Sequence, residues 1–181
     1  MATPPKMIFT ILLLAGFVFA WFGLNDESGA RIRIGNNAEI RADAKTVRAI
    51  EDTFNQAEEA IQRGDLDSLM ELYSKDYRYK ILTRKDIEVI WKDFFFKYHN
   101  IATNHSFSRI VVKEGNPLTA EILCTGSIWA TTNQTDERVN LASWLGDIHF
   151  LIYENGSWRI RGQGRKSPDL KSFGGIPPPL F

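Results

Sequence analysis

Residues 56–73 read QAEEAIQRGDLDSLMELY, a strongly helical run broken once, at Gly64-Asp65. Upstream of the break, Val47, Ile50, Phe54, Ala57 and Ile61 recur at steps of three and four. That is the apolar stripe of an amphipathic helix. Glycine adopts the left-handed conformation that closes such a helix, and an aspartate directly after it can cap the next one. Leu66, Leu69, Met70 and Tyr73 then form the apolar face of a second, shorter helix. The break is therefore a corner between two helices.

Beyond the corner, KDYRYKIL (75–82) is aromatic and reads as extended. Thr83 and Asp86 have the spacing of a capping box, in which each side chain satisfies the other's amide. They open a third helix with Ile87, Ile90, Trp91, Phe94, Phe95 and Tyr98 on its apolar face. After His105 the pattern turns to strands. These are Phe107 to Val112, Leu118 to Ala130, Val139 to Tyr153 and Trp158 to Gln163, the last two joined at Asn155-Gly156, a strong hairpin signal. In the second strand Ala120, Ile122, Cys124, Gly126 and Ile128 share one face. Three helices followed by long strands predict an α+β domain over residues 44–164, its helices packed in the concave face of a curved, mostly antiparallel sheet. Residues 25–43 read as a polar linker with a brief strand at Arg31 to Ile34, and 165–181 as a loose tail containing Pro and Gly.

The leader has a different character. Lys6 precedes MIFTILLLAGFVFAWFGL (7–24), whose only polar side chain is Thr10. Eighteen helical residues span about 27 Å, close to the hydrocarbon thickness of a bilayer. Residues 1–24 are expected to be a transmembrane anchor or a signal segment. Trp21 and Phe22 favour an anchor, whereas Ser28-Gly29-Ala30 offers a cleavage site that would release a secreted domain. Both readings place the domain outside the cytoplasm. Of the 181 residues, 22 are basic and 22 acidic, with no block of like charge, which argues against a nucleic-acid partner. The single cysteine, Cys124, excludes an internal disulfide framework and a multi-cysteine zinc site.

The element order, the corner GDLDSLMELYSKDYRY (64–79) and the closing hairpin ENGSWRI (154–160) together resemble the nuclear-transport-factor-2-like superfamily, which includes ketosteroid isomerases and polyketide cyclases. The resemblance implies a cystatin-like cone with an apolar pocket open at one end. The isomerases of that group need a carboxylate base and two acidic donors around a developing oxyanion. Where they carry a tyrosine donor this chain has Gln56, Ala57 and Glu58, and where they carry the base it has Lys80, Ile81 and Leu82. Only Asp147 matches the third position, so their mechanism does not transfer.

Asp147 and His149 interrupt an apolar strand and are the candidate acid–base pair. They share parity with Leu145, Leu151 and Tyr153, while Trp144, Ile148, Phe150 and Ile152 make the expected core face. A bulge at Gly146 would exchange the two faces. A small apolar ligand is expected to meet Tyr73, Tyr79, Trp91, Phe95, Cys124, Trp144, Phe150 and Trp158. His99 and His105 have no third ligand signalled nearby, and no cofactor motif appears, so neither metal nor cofactor is expected. Leu123, Trp129, Leu145 and Tyr153 mark an outer sheet face suited to a homodimer. Two functions follow: a membrane-tethered ligand-binding or assembly module, or alternatively a small-molecule isomerase or dehydratase using Asp147 and His149.

Overall fold

Asp43 caps the first helix, accepting hydrogen bonds from the amides of Lys45 and Thr46, and Gly64 ends it in the left-handed conformation. In this computed structural model, which describes residues 31–165, that helix is α1 (Ala44–Arg63). Asp65 caps α2 (Leu66–Glu71), so the Gly-Asp pair forms the corner expected of it. The Thr83–Asp86 capping box opens α3 (Arg84–Lys97). The strands are β1 (Arg31–Arg41), β2 (Tyr73–Tyr79), β3 (Leu82–Thr83), β4 (Tyr98–Lys113), β5 (Thr119–Thr132), β6 (Arg138–Glu154) and β7 (Ser157–Arg165).

All seven join one sheet in the order β1-β4-β5-β6-β7-β2-β3. The long central pairs β4–β5, β5–β6 and β6–β7 are antiparallel, while β1 and β2 lie parallel to β4 and β7. The architecture is the α+β arrangement of helices against a curved mixed sheet. Its core joins Ile50, Phe54, Ala57 and Ile61 of α1, Leu69 of α2 and Ile87 and Trp91 of α3 to the inward residues of the strands.

Two boundaries differ from the sequence reading. Residues 31–41 are a full strand of the sheet and not a tether, so the folded unit begins at least at Arg31. The segment is polar because β1 is an edge strand with one side open to water, while Ile32 and Ile34 pack against the core. Strand β4 starts at Tyr98, directly after α3, and not beyond His105. Its inward positions there are Ile101, Thr103 and His105, a mixed set that does not show as apolar alternation. The apolar run 7–24 and the tail 166–181 lie outside the described residues. Among the described residues no helix is long and apolar enough to cross a membrane.

Gly126 of β5 is where backbone, strand and ring come closest: a Cβ there would overlap the Asn104 carbonyl oxygen and the Trp144 indole. Gly64 has open space around it and only its positive φ of 63° to defend. Gly126→Ala should therefore cost at least about 3 kcal/mol in urea denaturation followed by tryptophan fluorescence, because neither neighbour can retreat cheaply. Gly64→Ala should cost only about 1 kcal/mol. Equal losses would show that the close approach at Gly126 is not the constraint.

Candidate functional site

Phe54 and Glu58 stand one turn apart on α1; Phe54 meets β4 and β6, and Glu58 meets β4. The Phe54 ring lies 4.9 Å from Phe107, 5.7 Å from His105 and 5.6 Å from His149, centroid to centroid. Glu58 Oε1 stands 3.1 Å from His105 Nε2. On its other side His105 Nδ1 is 3.4 Å from Cys124 Sγ, and the Trp144 indole N–H donates to the same sulfur at 3.4 Å. His149 lies 6.1 Å from His105, ring to ring, with its Nδ1 3.4 Å from the Gln163 side-chain amide. Glu58 is 4% exposed, and His105, Cys124 and His149 are fully buried within a percent.

Burial decides the charge of this group. It pushes the Glu58 carboxyl up to about 8, against a lesser downward pull from the Thr103 backbone. It brings His105 down to about 3, and holds His149 well below its ordinary value, with His105 adding a smaller push. Burial likewise drives the Cys124 thiol up to about 12; the Trp144 hydrogen bond opposes this, while Asp147 and Glu58 reinforce it. Near neutrality all four groups are uncharged, and the Glu58–His105 contact joins an acid to an imidazole, not two ions. No well-aligned hydrogen bond reaches either Glu58 oxygen, although Thr103 and His105 are close by, and none reaches His149 Nε2. Leaving a buried polar atom unsatisfied costs about 1–3 kcal/mol. Such atoms in a core call for a role beyond packing.

The face reading of β6 changes at Gly146. That residue has φ of 68°, and the β5–β6 register shifts between Cys124 and Gly126. The bulge exchanges the faces, so Trp144 before it and His149 and Leu151 after it all point inward. Ile148 and Phe150 consequently face outward, contrary to the core face expected of them. Asp147 pairs across strands with Cys124 and shares its inner face, half-buried.

The expected ligand-lining residues do not form one pocket. Tyr73, Tyr79 and Trp91 are solid core, with Trp91 donating its indole N–H to the Tyr73 hydroxyl at 3.0 Å and Phe95 packed beside them. Trp158 is core against α1, where its carbonyl accepts from Thr53. Cys124 and Trp144 belong to the buried polar group. Phe150 instead lines a cleft of about 400 Å³ with Asp76, Arg78, Thr119, Glu121 and Arg161. These are separate places because Phe150 lies beyond the bulge. His99 sits at the surface, contacting Asn133 and Asp136.

Sequence reasoning passed over Glu58 and did not connect His105 to it. The signal for Glu58 was present, since it lies on the apolar stripe, four residues after Phe54 and three before Ile61. The signal for His105 was its alternation with Phe107, readable only once β4 is known to begin earlier.

The fold has known counterparts. The chain superposes on a conserved protein from Planctomyces limnophilus with TM-score 0.58 and 16% identity, covering 67% of this chain and 94% of that one. A scytalone dehydratase candidate from Novosphingobium aromaticivorans gives 0.53 at 12% identity, over 66% and 81%. A ketosteroid isomerase-like protein from Erwinia carotovora atroseptica gives 0.50 at 15%, over 70% and 100%. These likenesses, all at 16% identity or less, show a shared fold of helices packed against a curved mixed sheet. No protein-family model matches the sequence, and no curated protein matches it.

Glu58 gives the site a pH signature. Its folded value of about 8 exceeds the ordinary 4.5, so above pH 4.5 the folded protein keeps a proton that the unfolded chain gives up. The associated stability is full below 4.5 and drains away as pH rises toward 8. The histidines act oppositely, but their contribution is complete once pH passes the ordinary histidine value of 6.5. Between pH 6.5 and 8 the protein should thus lose about 2 kcal/mol in urea denaturation, and Glu58→Gln should flatten that fall. An equal slope in both proteins would show that Glu58 is not the group responsible.

Proposed function

We propose that this chain is a small-molecule acid–base enzyme of the isomerase or dehydratase kind, working through Glu58 with His105 and His149. One observation carries the reading: a buried carboxyl with its pKa near 8 touches a neutral imidazole at 3.1 Å on the inner face of the sheet. A general acid or base works best when its pKa lies near the operating pH. With a value of about 8, roughly a tenth of Glu58 is ionised at pH 7. That fraction can take a proton from a carbon beside a carbonyl, and the resulting acid can return it to another carbon, so that proton and electron count balance over an isomerisation. In a dehydration the returned proton goes to the departing hydroxyl, which leaves as water. His149 Nε2 is available to hydrogen-bond the oxygen on which charge develops.

Trp144 is 8% exposed and its neighbours Asp147 and Gln163 are partly exposed, and theirs is the side from which the proposal has a ligand reach the cluster. This reading moves the carboxylate role from Asp147 to Glu58 and retains His149. Support also comes from the isomerase-like and dehydratase-like names among the structural counterparts, a precedent for such chemistry on this cone. The place of work that we propose is outside the cytoplasm, on the strength of the apolar run 7–24.

Proton–deuterium exchange at the α-carbon, followed by NMR across a panel of cyclic enones and β-hydroxy ketones, tests the reading. The protein should accelerate exchange or elimination in at least one compound, and Glu58→Gln should slow it by about 100-fold or more. A rate equal to buffer across the panel, or an unaffected variant, overturns it.

A second reading, the tethered binding or assembly module, is favoured by the exposure of Trp129 (41%) and Leu145 (70%) on the outer side of the sheet, whereas Tyr153, expected beside them, follows the bulge onto the inner face with Leu151 and packs on Trp158. Large apolar groups left on one side of a sheet suit a partner surface. If that face pairs two copies, the double variant Trp129→Glu, Leu145→Lys should halve the mass in sedimentation. An unchanged mass removes the interface.

A further inference from the structure

We propose that His105, Cys124 and His149 form a binding site for a thiophilic divalent metal ion, zinc being the ion their chemistry fits, with Glu58 as the carboxylate that orients His105. The three come from three adjacent strands, β4, β5 and β6, and one ligand atom from each lies within 4.8 Å of the others, all buried. A tetrahedral zinc with Zn–S about 2.3 Å and Zn–N about 2.05 Å puts sulfur and nitrogen about 3.5 Å apart. His105 Nδ1 and Cys124 Sγ already stand at 3.4 Å. The remaining separations, at most 4.8 Å, have to close by up to about 1.5 Å on binding.

The surroundings fit as well as the distances. With Nδ1 on the ion, His105 Nε2–H faces Glu58 Oε1 at 3.1 Å, the carboxylate–histidine–metal relay that fixes tautomer and ring angle. His149 Nε2 is buried and makes no hydrogen bond. Its Nδ1 meets the Gln163 amide, whose oxygen and nitrogen are interchangeable by a turn of the side chain. With the oxygen at Nδ1, that nitrogen carries the proton and Nε2 keeps its lone pair for the ion. On binding near neutrality two protons leave to solvent, one from the Cys124 thiol and one from the Glu58 carboxyl, and the thiolate with the Glu58 carboxylate then balances a divalent charge. Buried charges persist only when so compensated. Thiolate and imidazole donors select zinc over magnesium or calcium. Three protein ligands leave one coordination position free for water or substrate, as catalytic sites do and closed structural sites do not.

The inference stands independently of the acid–base reading, because its readouts are spectroscopic and hold for a catalytically silent protein. The full chain, stripped with chelator and titrated with Co²⁺ alone, should bind one equivalent and show a thiolate-to-cobalt charge-transfer band with the strong visible bands of tetrahedral cobalt. Zn²⁺ should displace it. Cys124→Ser should abolish the charge-transfer band, His149→Gln should weaken binding at least tenfold, and Glu58→Gln by about 10–100-fold. His99→Ala, at the surface, should change nothing. X-ray absorption on the zinc-loaded wild type needs no variant to fold. It should find one sulfur at about 2.3 Å with nitrogen and oxygen at about 2.0–2.1 Å. A zinc shell without sulfur, or no charge-transfer band in the wild type, overturns the proposal.

Discussion

Phe54 and Glu58 leave the same face of α1, and the interior is organised around what they press against. Burying the Phe54 ring among His105, Phe107 and His149 stabilises the helix-on-sheet contact by about 2–3 kcal/mol. Glu58 has to enter the interior with it, because residues four apart on a helix share a face. Holding Glu58 ionised there at pH 4.5, its ordinary value, would cost about 5 kcal/mol, as its rise to about 8 shows. The cheaper state is the neutral acid, and it leaves the neighbouring imidazoles without an anion to charge them. One helix face thereby sets the protonation of a site built mostly from strands.

The sheet contributes two glycines with complementary duties. Gly146 spends its positive φ on a bulge that turns His149 inward, and Gly126 gives up its side chain so that the Trp144 indole can lie against β5. That position of the indole lets its N–H reach Cys124 Sγ. Without the bulge, strict alternation from Trp144 would carry Phe150 into the core and put His149 on the opposite side. The site is thus a product of broken alternation on β6 and of the short regular stretches Thr103–His105–Phe107 on β4 and Ala120–Ile122–Cys124 on β5.

This explains what the sequence disclosed and what it withheld. The helices were legible because their signals are local: the stripe from Val47 to Ile61, the Gly64-Asp65 corner and the Thr83–Asp86 box each need only a few neighbouring residues. The inner face of β5 was legible for the same reason. Strand β1 was not, since its residues are polar on the side turned to water and its partner β4 lies some seventy positions later. The faces of β6 were misassigned because periodicity was counted through Gly146, although the residue capable of reversing them was visible. Of the buried polar group, His149 and Cys124 could be picked out singly. Their meeting with Glu58 and His105 depends on cross-strand register, which no local pattern encodes.

The two chemistries proposed for the cluster answer one electrostatic problem in different currencies. A carboxyl, a thiol and two imidazoles buried together are favoured as a neutral set, and neutrality can be supplied by protons or by a cation. Protons leave Glu58 an acid with a pKa close to that of a working catalyst. A divalent ion displaces the thiol proton and the Glu58 proton, draws the lone pairs of both histidines, and makes Glu58 the anion that holds His105 in place. Metal affinity and acid–base capacity must therefore compete for the same groups. Cys124 separates the two states, because a thiol with its pKa pushed up to about 12 is of little use to proton transfer near neutrality and becomes a strong ligand only as the thiolate that a metal stabilises.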